Sequence, residues 1–178
     1  MSHTPRPACR APRWPARTAA AAAALVACAT ALADSRAGLP ADAPPAYLQE
    51  CASCHVAYPP GLLPAVSWQR LMSQLERHYG SDASLDAATT RQLAEWLQAH
   101  AARGGRRATP PPEERITRSA WFQREHRKLD AAVWSLPSVK SPANCGACHT
   151  QAERGRFDEH GLRAPAGLDA RQRRAFED

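Results

Sequence analysis

The pentapeptide Cys-x-x-Cys-His occurs twice in this chain, as CASCH at residues 51–55 and as CGACH at residues 145–149. Two cysteines three positions apart, on an incipient helical turn, present both sulfurs to the two vinyl groups on one edge of a porphyrin. The histidine that follows then points its imidazole at the iron and becomes the proximal ligand. Each copy therefore predicts one covalently attached haem c, and the repeat predicts two.

The cysteine pairs have two other interpretations. Four cysteines could form a Cys₄ zinc site, or each pair could be a redox disulfide. A zinc site does not require a histidine directly after each pair, and a thioredoxin-like site needs a βαβ context that the sequence lacks. Aromatic residues are only 6% of the chain, which leaves few large side chains to fill a core. Two porphyrins would supply the missing apolar volume. The sequence therefore favours haem.

Residues 1–33 have the pattern of a secretory signal peptide. Residues 1–17 contain four arginines and no acid, and an apolar run at 18–33 follows that ends in a small-x-small motif. This pattern predicts cleavage before Asp34 and a periplasmic location, with no membrane span left in the mature chain. An alternative is that residues 25–28 are a lipobox and that Cys28 becomes a lipidated first residue. Cleavage leaves 23 − 4 = 19 Lys and Arg against 17 Asp and Glu, so the charge does not predict a nucleic-acid partner.

The rest of the chain divides into two blocks with helical signals and one pentapeptide each. We predict an N-terminal haem c domain at 34–101 and a C-terminal haem c domain at 115–165. A linker at 102–114 combines a Gly pair, a basic cluster and three prolines, which are loop signals. The charged tail at 166–178 is predicted to be either a terminal helix or disordered. Because no run of alternating β-branched residues suggests a sheet, the fold class is mainly α.

The second axial ligand of a c-type haem is usually methionine or histidine. Methionine is nearly excluded by counting, because the chain has two and Met1 leaves with the signal peptide. Only Met72 then remains for two irons. Histidine is in better supply. The histidines of the mature chain outside the two pentapeptides are His78, His100, His126 and His160.

Helical periodicity separates these histidines. In residues 67–80, His78 shares an apolar stripe with Leu75, and the helix is predicted to end at Gly80. In residues 119–134, His126 lies on the apolar face in the middle of a predicted helix. A lone histidine on such a face is more often a core residue than a ligand, but two irons that each lack a ligand favour ligation.

The remaining candidates are held in reserve. His100 lies in the last turn of a predicted helix, where a histidine also suits the negative end of the helix dipole. His160 lies in a predicted loop between acids and a glycine. Met72 shares a helix with His78, and packing is the role we assign to it.

Two long stretches of the chain resemble the diheme cytochrome c family of bacterial periplasms. They are CASCHVAYPPGLLPAVSWQRLMSQLERHYGSDASLD (51–86) and ITRSAWFQREHRKLDAAVWSLPSVKSPANCGACHTQAERGRFDEHGLRAP (116–165). Within them, RHYGSDASLD and VKSPANCGACHTQAERGRFDE are more specific than the pentapeptide alone. The family's members are electron-donor partners of an oxygen-binding monohaem cytochrome, the sphaeroides haem protein. The linker and the tail have no counterpart in this resemblance.

The resemblance implies a two-domain, mainly helical protein with two bis-histidine haems, and it assigns a role to eight residues. Cys51 and Cys54 are implied as thioether sites of the first haem, with His55 as proximal ligand. The implied residues of the second haem are Cys145, Cys148 and His149. His78 and His126 match the distal histidines, and we pair each with the haem of its own block.

An iron with an imidazole on both faces has no open position, so its natural function is outer-sphere electron transfer. The sequence therefore predicts a soluble periplasmic electron carrier, not an enzyme. Its partner would be an oxygen-binding monohaem cytochrome, another respiratory oxidoreductase or a membrane cytochrome b. The alternative is a haem enzyme or gas sensor, in which one distal histidine is labile or absent.

Overall fold

Short helices separated by turns make up the part of the chain that the computed structural model describes, residues 38–177. The predicted signal peptide and Cys28 lie outside these residues. Within residues 38–177, the isolated β-bridges extend into no strand, and the prediction of a mainly α protein is confirmed. No helix in this range is long and apolar enough to cross a membrane.

Five α-helices and a series of 3₁₀ helices occur in this described range. The α-helices are α1 Pro45–Cys51, α2 Ala65–Met72, α3 Ala87–Ala99, α4 Ala120–Glu125 and α5 Ala170–Arg173. The 3₁₀ helices are Pro60–Leu62, Leu75–Arg77, Gly105–Ala108, Pro112–Glu114, Ile116–Arg118, Ala131–Ser135, Cys145–Ala147, Ala152–Arg154, Glu159–Gly161 and Arg174–Phe176.

The larger core is built around α3. Asp86 begins this helix, because its carboxylate accepts hydrogen bonds from two backbone amides of the first turn at 2.9 and 3.0 Å, as N-cap residues do. Leu93 and Leu97 of α3 are fully buried against α1 and α2. The other buried members of the cluster are Tyr47, Ala57, Leu63, Trp68, Met72, Trp96 and Ala101. Cys51 packs against its edge, so this core positions the first pentapeptide.

A smaller core lies under the second pentapeptide. Its buried members are Val133, Val139 and Leu168. Partly buried residues that pack against it are Trp134, Leu136, Ala147 and Phe176. Since Ala147 belongs to the second pentapeptide, this cluster positions that motif in the same way.

The tail at 166–178, for which the sequence allowed helix or disorder, is folded over the residues described. Asp169 and Gln172 form a capping box at the start of α5. The Asp169 carboxylate accepts from the Gln172 amide at 2.7 Å, and the Gln172 side chain accepts from the Asp169 amide at 3.0 Å. This reciprocal pair is a known helix-start signal, and the sequence analysis missed it.

The helix predicted over residues 67–80 is too long. α2 ends at Met72, and Gln74 has non-helical backbone angles (φ −140°, ψ 36°). The Ser73 hydroxyl donates to the carbonyl three residues earlier at 2.8 Å, and such local bonds compete with helix continuation. His78 therefore follows a separate 3₁₀ turn and does not lie on the stripe of one continuous helix.

The helix predicted over residues 119–134 is also too long. α4 ends at Glu125, so His126 is the C-cap residue and not the middle of a helix. The Asp130 carboxylate accepts from the Ala132 amide at 2.9 Å and begins a new 3₁₀ helix. Aspartate prefers such caps to helix interiors because its side chain bonds to nearby backbone amides.

The residues predicted as a linker, 102–114, are tied to the N-terminal block at both ends. The Ala102 amide donates to the Leu63 carbonyl at 2.9 Å. The Arg70 guanidinium forms an ion pair with Glu114 at 2.7 Å. This stretch therefore packs along α2 as short 3₁₀ turns.

Gly155, a few residues after the second pentapeptide, packs directly against the start of the described chain. Its φ is +68°, which side chains rarely adopt. A Cβ there would lie 2.6 Å from the Leu39 backbone nitrogen and 3.2 Å from the Pro59 ring. Only glycine therefore allows the two blocks to approach this closely.

We predict that Gly155→Ala lowers the stability of the haem-loaded protein. The left-handed backbone costs about 1–2 kcal/mol with a side chain, and overpacking adds about 1–3 kcal/mol. The measurement is the urea midpoint. Gly104→Ala is the control, because Gly104 has no positive φ and no atom lies within 4 Å of the position that a Cβ would occupy there. Equal midpoints for the two variants would contradict the prediction.

Candidate haem sites

The first pentapeptide begins inside α1 and ends in the turn that follows it. Cys51 is the last residue of α1, and His55 lies four residues further on. His78 approaches from the other side, after the 3₁₀ turn that replaces the end of the predicted helix. The centroids of the His55 and His78 rings are 6.2 Å apart, with 28° between the ring planes.

The second pentapeptide forms a 3₁₀ turn, Cys145–Ala147. The His149 amide donates to the Cys145 carbonyl at 2.9 Å, which closes the turn and orients the histidine. His126, at the end of α4, lies opposite. The centroids of the His126 and His149 rings are again 6.2 Å apart, but their planes are 79° apart.

The equal separation of the two pairs fits one metal ion between each. A bond between an imidazole nitrogen and a first-row metal ion is about 2 Å long, so two such nitrogens on opposite sides of one ion lie roughly 4 Å apart. Each ring centroid lies one ring radius beyond its nitrogen. The observed 6.2 Å is therefore the spacing at which two imidazoles can share one iron.

Backbone carbonyls fix the tautomer of one histidine in each pair. Nδ1 of His55 lies 2.7 Å from the Val56 carbonyl oxygen, and Nδ1 of His126 lies 2.9 Å from that of Phe122. Because a carbonyl only accepts, Nδ1 carries the proton and Nε2 keeps its lone pair for a metal. Nδ1 of His78 and Nδ1 of His149 are buried and form no hydrogen bond with protein atoms.

Burial favours the neutral form of three of these imidazoles. It lowers the pKa of His78, which nearby His55 and Arg115 lower further. It lowers the pKa of His126 more than the hydrogen bond to the Phe122 carbonyl raises it. It also lowers the pKa of His149. Neutral imidazole is the form that ligates a metal.

None of the four motif cysteines forms a disulfide. Burial raises the pKa of Cys51 to about 11 and that of Cys145 to about 11. Burial also raises the pKa of Cys148. Burial at these three cysteines disfavours the charged thiolate. The sulfur of a thioether is uncharged, so the same burial does not oppose it. Among residues 38–177, no three His, Cys, Asp or Glu side chains converge as a metal cluster, so this range lends no support to the Cys₄ zinc alternative.

Open space lies beside the second histidine of each pair. A cavity of about 280 Å³ is lined by His78 together with Leu71 and Tyr79. A cavity of about 230 Å³ is lined by His126 with aromatic neighbours, Phe122 and Trp134. The donor set therefore fits a haem iron at each pair. The cavity at His78 is also lined by charged side chains, Arg70, Arg77, Glu113 and Glu114, so its lining is not purely apolar.

The reserve candidates lie elsewhere. Nδ1 of His100 is 2.9 Å from the Trp96 carbonyl oxygen, and its Nε2 is 3.2 Å from the Asp42 carboxylate. Both nitrogens thus face acceptors, and neither lone pair is turned to a metal. His160 is exposed, and Met72 is buried in the larger core.

The sequence analysis missed the aromatic neighbours of the motif histidines. The Tyr58 ring stacks on His55 with centroids 4.7 Å apart and 23° between planes. Phe157 meets His149 edge to face at 5.5 Å. A tyrosine three positions after a motif histidine is the only local signal, and it gives no orientation.

Comparison with known proteins places this chain among characterised haem proteins. The sequence profile of the family described as Dihaem cytochrome c matches residues 47–157. The X-ray structure of the diheme cytochrome type c from Shewanella baltica OS155 is 38% identical, with a TM-score of 0.60, and the alignment covers 68% of this chain and 93% of that one. Curated protein sequences give no match.

Two structures of diheme cytochrome c from Rhodobacter sphaeroides agree. They are 40% and 41% identical, with TM-scores of 0.58 and 0.56, and cover 65% of this chain in both cases and 98% and 97% of those chains. The profile match spans more than half of the chain and includes both pentapeptides. The chain therefore belongs to the dihaem cytochrome c family, as a haem-binding electron-transfer protein with two covalently bound c-type haems.

Proposed function

We propose that this protein is a periplasmic electron carrier whose two haems are both six-coordinate with two histidines. The first would be held by His55 and His78, and the second by His149 and His126. The observation that carries the proposal is the equal 6.2 Å separation of the two imidazole pairs. A chance approach of buried histidines would not repeat one distance at both motifs.

Saturated irons make electron transfer the function that these sites support best. When bound, each haem supplies a one-electron Fe³⁺/Fe²⁺ couple. These four histidines would occupy both axial positions of each iron, which would leave no position for substrate or gas. Two nitrogen ligands without a thioether also favour a lower potential than a His/Met cytochrome has.

Attachment and location complete the proposal. Cys51 and Cys54 would form the thioether bonds of the haem in the block 34–101, and Cys145 and Cys148 those of the haem in the block 115–165. The signal peptide at 1–33 would deliver the chain to the periplasm, where c-type haem is attached.

The partner we propose is another redox protein, such as an oxygen-binding monohaem cytochrome or a membrane cytochrome b. Four ionised propionates would change the formal charge of the cleaved chain from 19 − 17 = +2 to about −2. A charge this small suits weak, electrostatically guided docking, in which partners meet and separate quickly.

We predict a low-spin spectrum for both haems, with no Soret shift when carbon monoxide is added to the reduced protein. The physical reason is that imidazole occupies the position carbon monoxide would need. The measurement is visible spectroscopy of the mature, haem-loaded protein. A high-spin band or a carbon monoxide adduct would support the haem enzyme or gas sensor instead.

His78→Met and His126→Met should each raise the potential of one haem. A thioether stabilises ferrous iron relative to imidazole, and axial ligands set haem potentials over a range of about 0.8 V. Spectroelectrochemical titration resolves the two couples. His100→Ala is the control, since both of its nitrogens already have acceptors. Two unchanged couples in both methionine variants would show that the distal ligands are other residues.

Replacing one cysteine pair should remove one haem. We expect mass spectrometry of the exported wild-type protein to show two added haem masses, because each pair forms two thioether bonds. The double variant Cys51→Ala/Cys54→Ala should keep one covalent haem, as should Cys145→Ala/Cys148→Ala. A double variant that retains two covalent haems would refute the attachment sites.

A further inference from the structure

Tyr58 connects the first haem site to the segment that leads into the second pentapeptide. It lies three residues after His55, and its ring stacks on that imidazole with a centroid separation of 4.7 Å and 23° between the planes. The stacking distance lies within the range of favourable aromatic contacts. The ring therefore fixes one side of the first motif histidine.

The hydroxyl of the same residue reaches the second site. It donates a hydrogen bond of 2.7 Å to the carbonyl of Ala143, a residue 85 positions further along the chain. Ala143 precedes Cys145 by two residues. One side chain thus connects the first motif histidine to the segment that carries the second pentapeptide.

The surroundings of Tyr58 hold it in this position. Its own carbonyl accepts a hydrogen bond from the Tyr47 hydroxyl, which is part of the larger core. Pro59 and Pro60 follow and are fully buried, and proline fixes its own backbone φ angle. Gly155 of the C-terminal block packs on Pro59. Backbone and side chain are thus both restrained.

A phenol ordinarily keeps its proton at neutral pH, so the Tyr58 hydroxyl is able to donate to the Ala143 carbonyl. The Tyr58 side chain contacts His55 through its ring and the segment before Cys145 through its hydroxyl. A role in fold stability alone would not require both of these neighbours.

We propose that Tyr58 is a positioning residue for electron transfer between the two haems. It fixes the separation of the two sites and gives a continuous path from His55 through its ring and hydroxyl to the Ala143 carbonyl. The step moves one electron from ferrous to ferric iron, no covalent bond forms or breaks, and Tyr58 keeps its proton and is not oxidised. The inference rests on the proposed function, since it takes His55 as a ligand of the first iron.

The test compares Tyr58→Phe with Ser138→Ala in the haem-loaded protein. Both variants lose one hydroxyl that donates to the backbone carbonyl of a residue far away in the sequence, at 2.7 Å for Tyr58 and 2.6 Å for Ser138. The Tyr58 hydroxyl bonds to the segment that leads into the second pentapeptide, whereas the Ser138 hydroxyl bonds to Ala166, outside both pentapeptides.

NMR exchange spectroscopy of partly reduced protein measures the exchange of electrons between the two haems, because each haem has its own shifted methyl signals. We expect several-fold slower exchange in Tyr58→Phe than in the wild type, and a larger loss in Tyr58→Leu, which also removes the ring. Ser138→Ala should exchange at the wild-type rate. The urea midpoint is measured alongside.

An unchanged exchange rate in Tyr58→Phe overturns the proposal, and a lower urea midpoint with an unchanged rate shows that the role is merely structural. Equal slowing in Ser138→Ala also overturns it, as does a wild-type protein whose haems exchange no electron. The proposed function is judged separately, because a low-spin spectrum with no carbon monoxide adduct supports it whatever the exchange rate.

Discussion

The opposition of two imidazoles across a fixed gap is the constraint on which the rest of this structure depends. The gap is 6.2 Å in both pairs, although the two sites are assembled differently. In the first, the pentapeptide leaves an α-helix and the opposing histidine follows a 3₁₀ turn. In the second, the pentapeptide is itself a 3₁₀ turn and the opposing histidine ends an α-helix. Different local structures thus give the same separation between the ring centroids of the paired imidazoles.

Most helices here are short because they position groups rather than form a large bundle. An isolated helix of six to eight residues is not stable in water, and α1, α2 and α4 have 7, 8 and 6 residues. The apolar residues of α1 and α2 pack into the larger cluster, whereas Phe122 of α4 stacks on His126. The two covalently bound haems of this family would add apolar surface, which would help a chain with so few aromatic residues to hold so many turns in place.

The sequence predicted the chemistry of the sites better than their geometry. The pentapeptides and the histidine count pointed to the four histidines that the structure pairs at 6.2 Å, yet both predicted helices were too long. The apolar spacing continues across Ser73 and Gln74 although the helix does not. The Ser73 hydroxyl bonds locally to the Arg70 carbonyl, and the Leu75 carbonyl accepts from the Ala83 amide, eight residues further along, at 2.9 Å. The bond from Tyr58 to Ala143 spans 85 residues, so no local pattern could predict it.

The angle between the rings is where the two sites are free to differ. A shared metal ion fixes the distance between two imidazoles but leaves each ring free to rotate about its metal bond, so the neighbours decide the angle. Tyr58 stacks on His55 in the pair at 28°, and Phe122 stacks on His126 in the pair at 79°. The histidine whose Nδ1 is hydrogen-bonded to a backbone carbonyl also differs. It is the motif histidine, His55, in the first pair and the opposing histidine, His126, in the second. Since a hydrogen bond at Nδ1 makes an imidazole a stronger donor, each iron would receive one stronger and one weaker ligand, in opposite order relative to its cysteines.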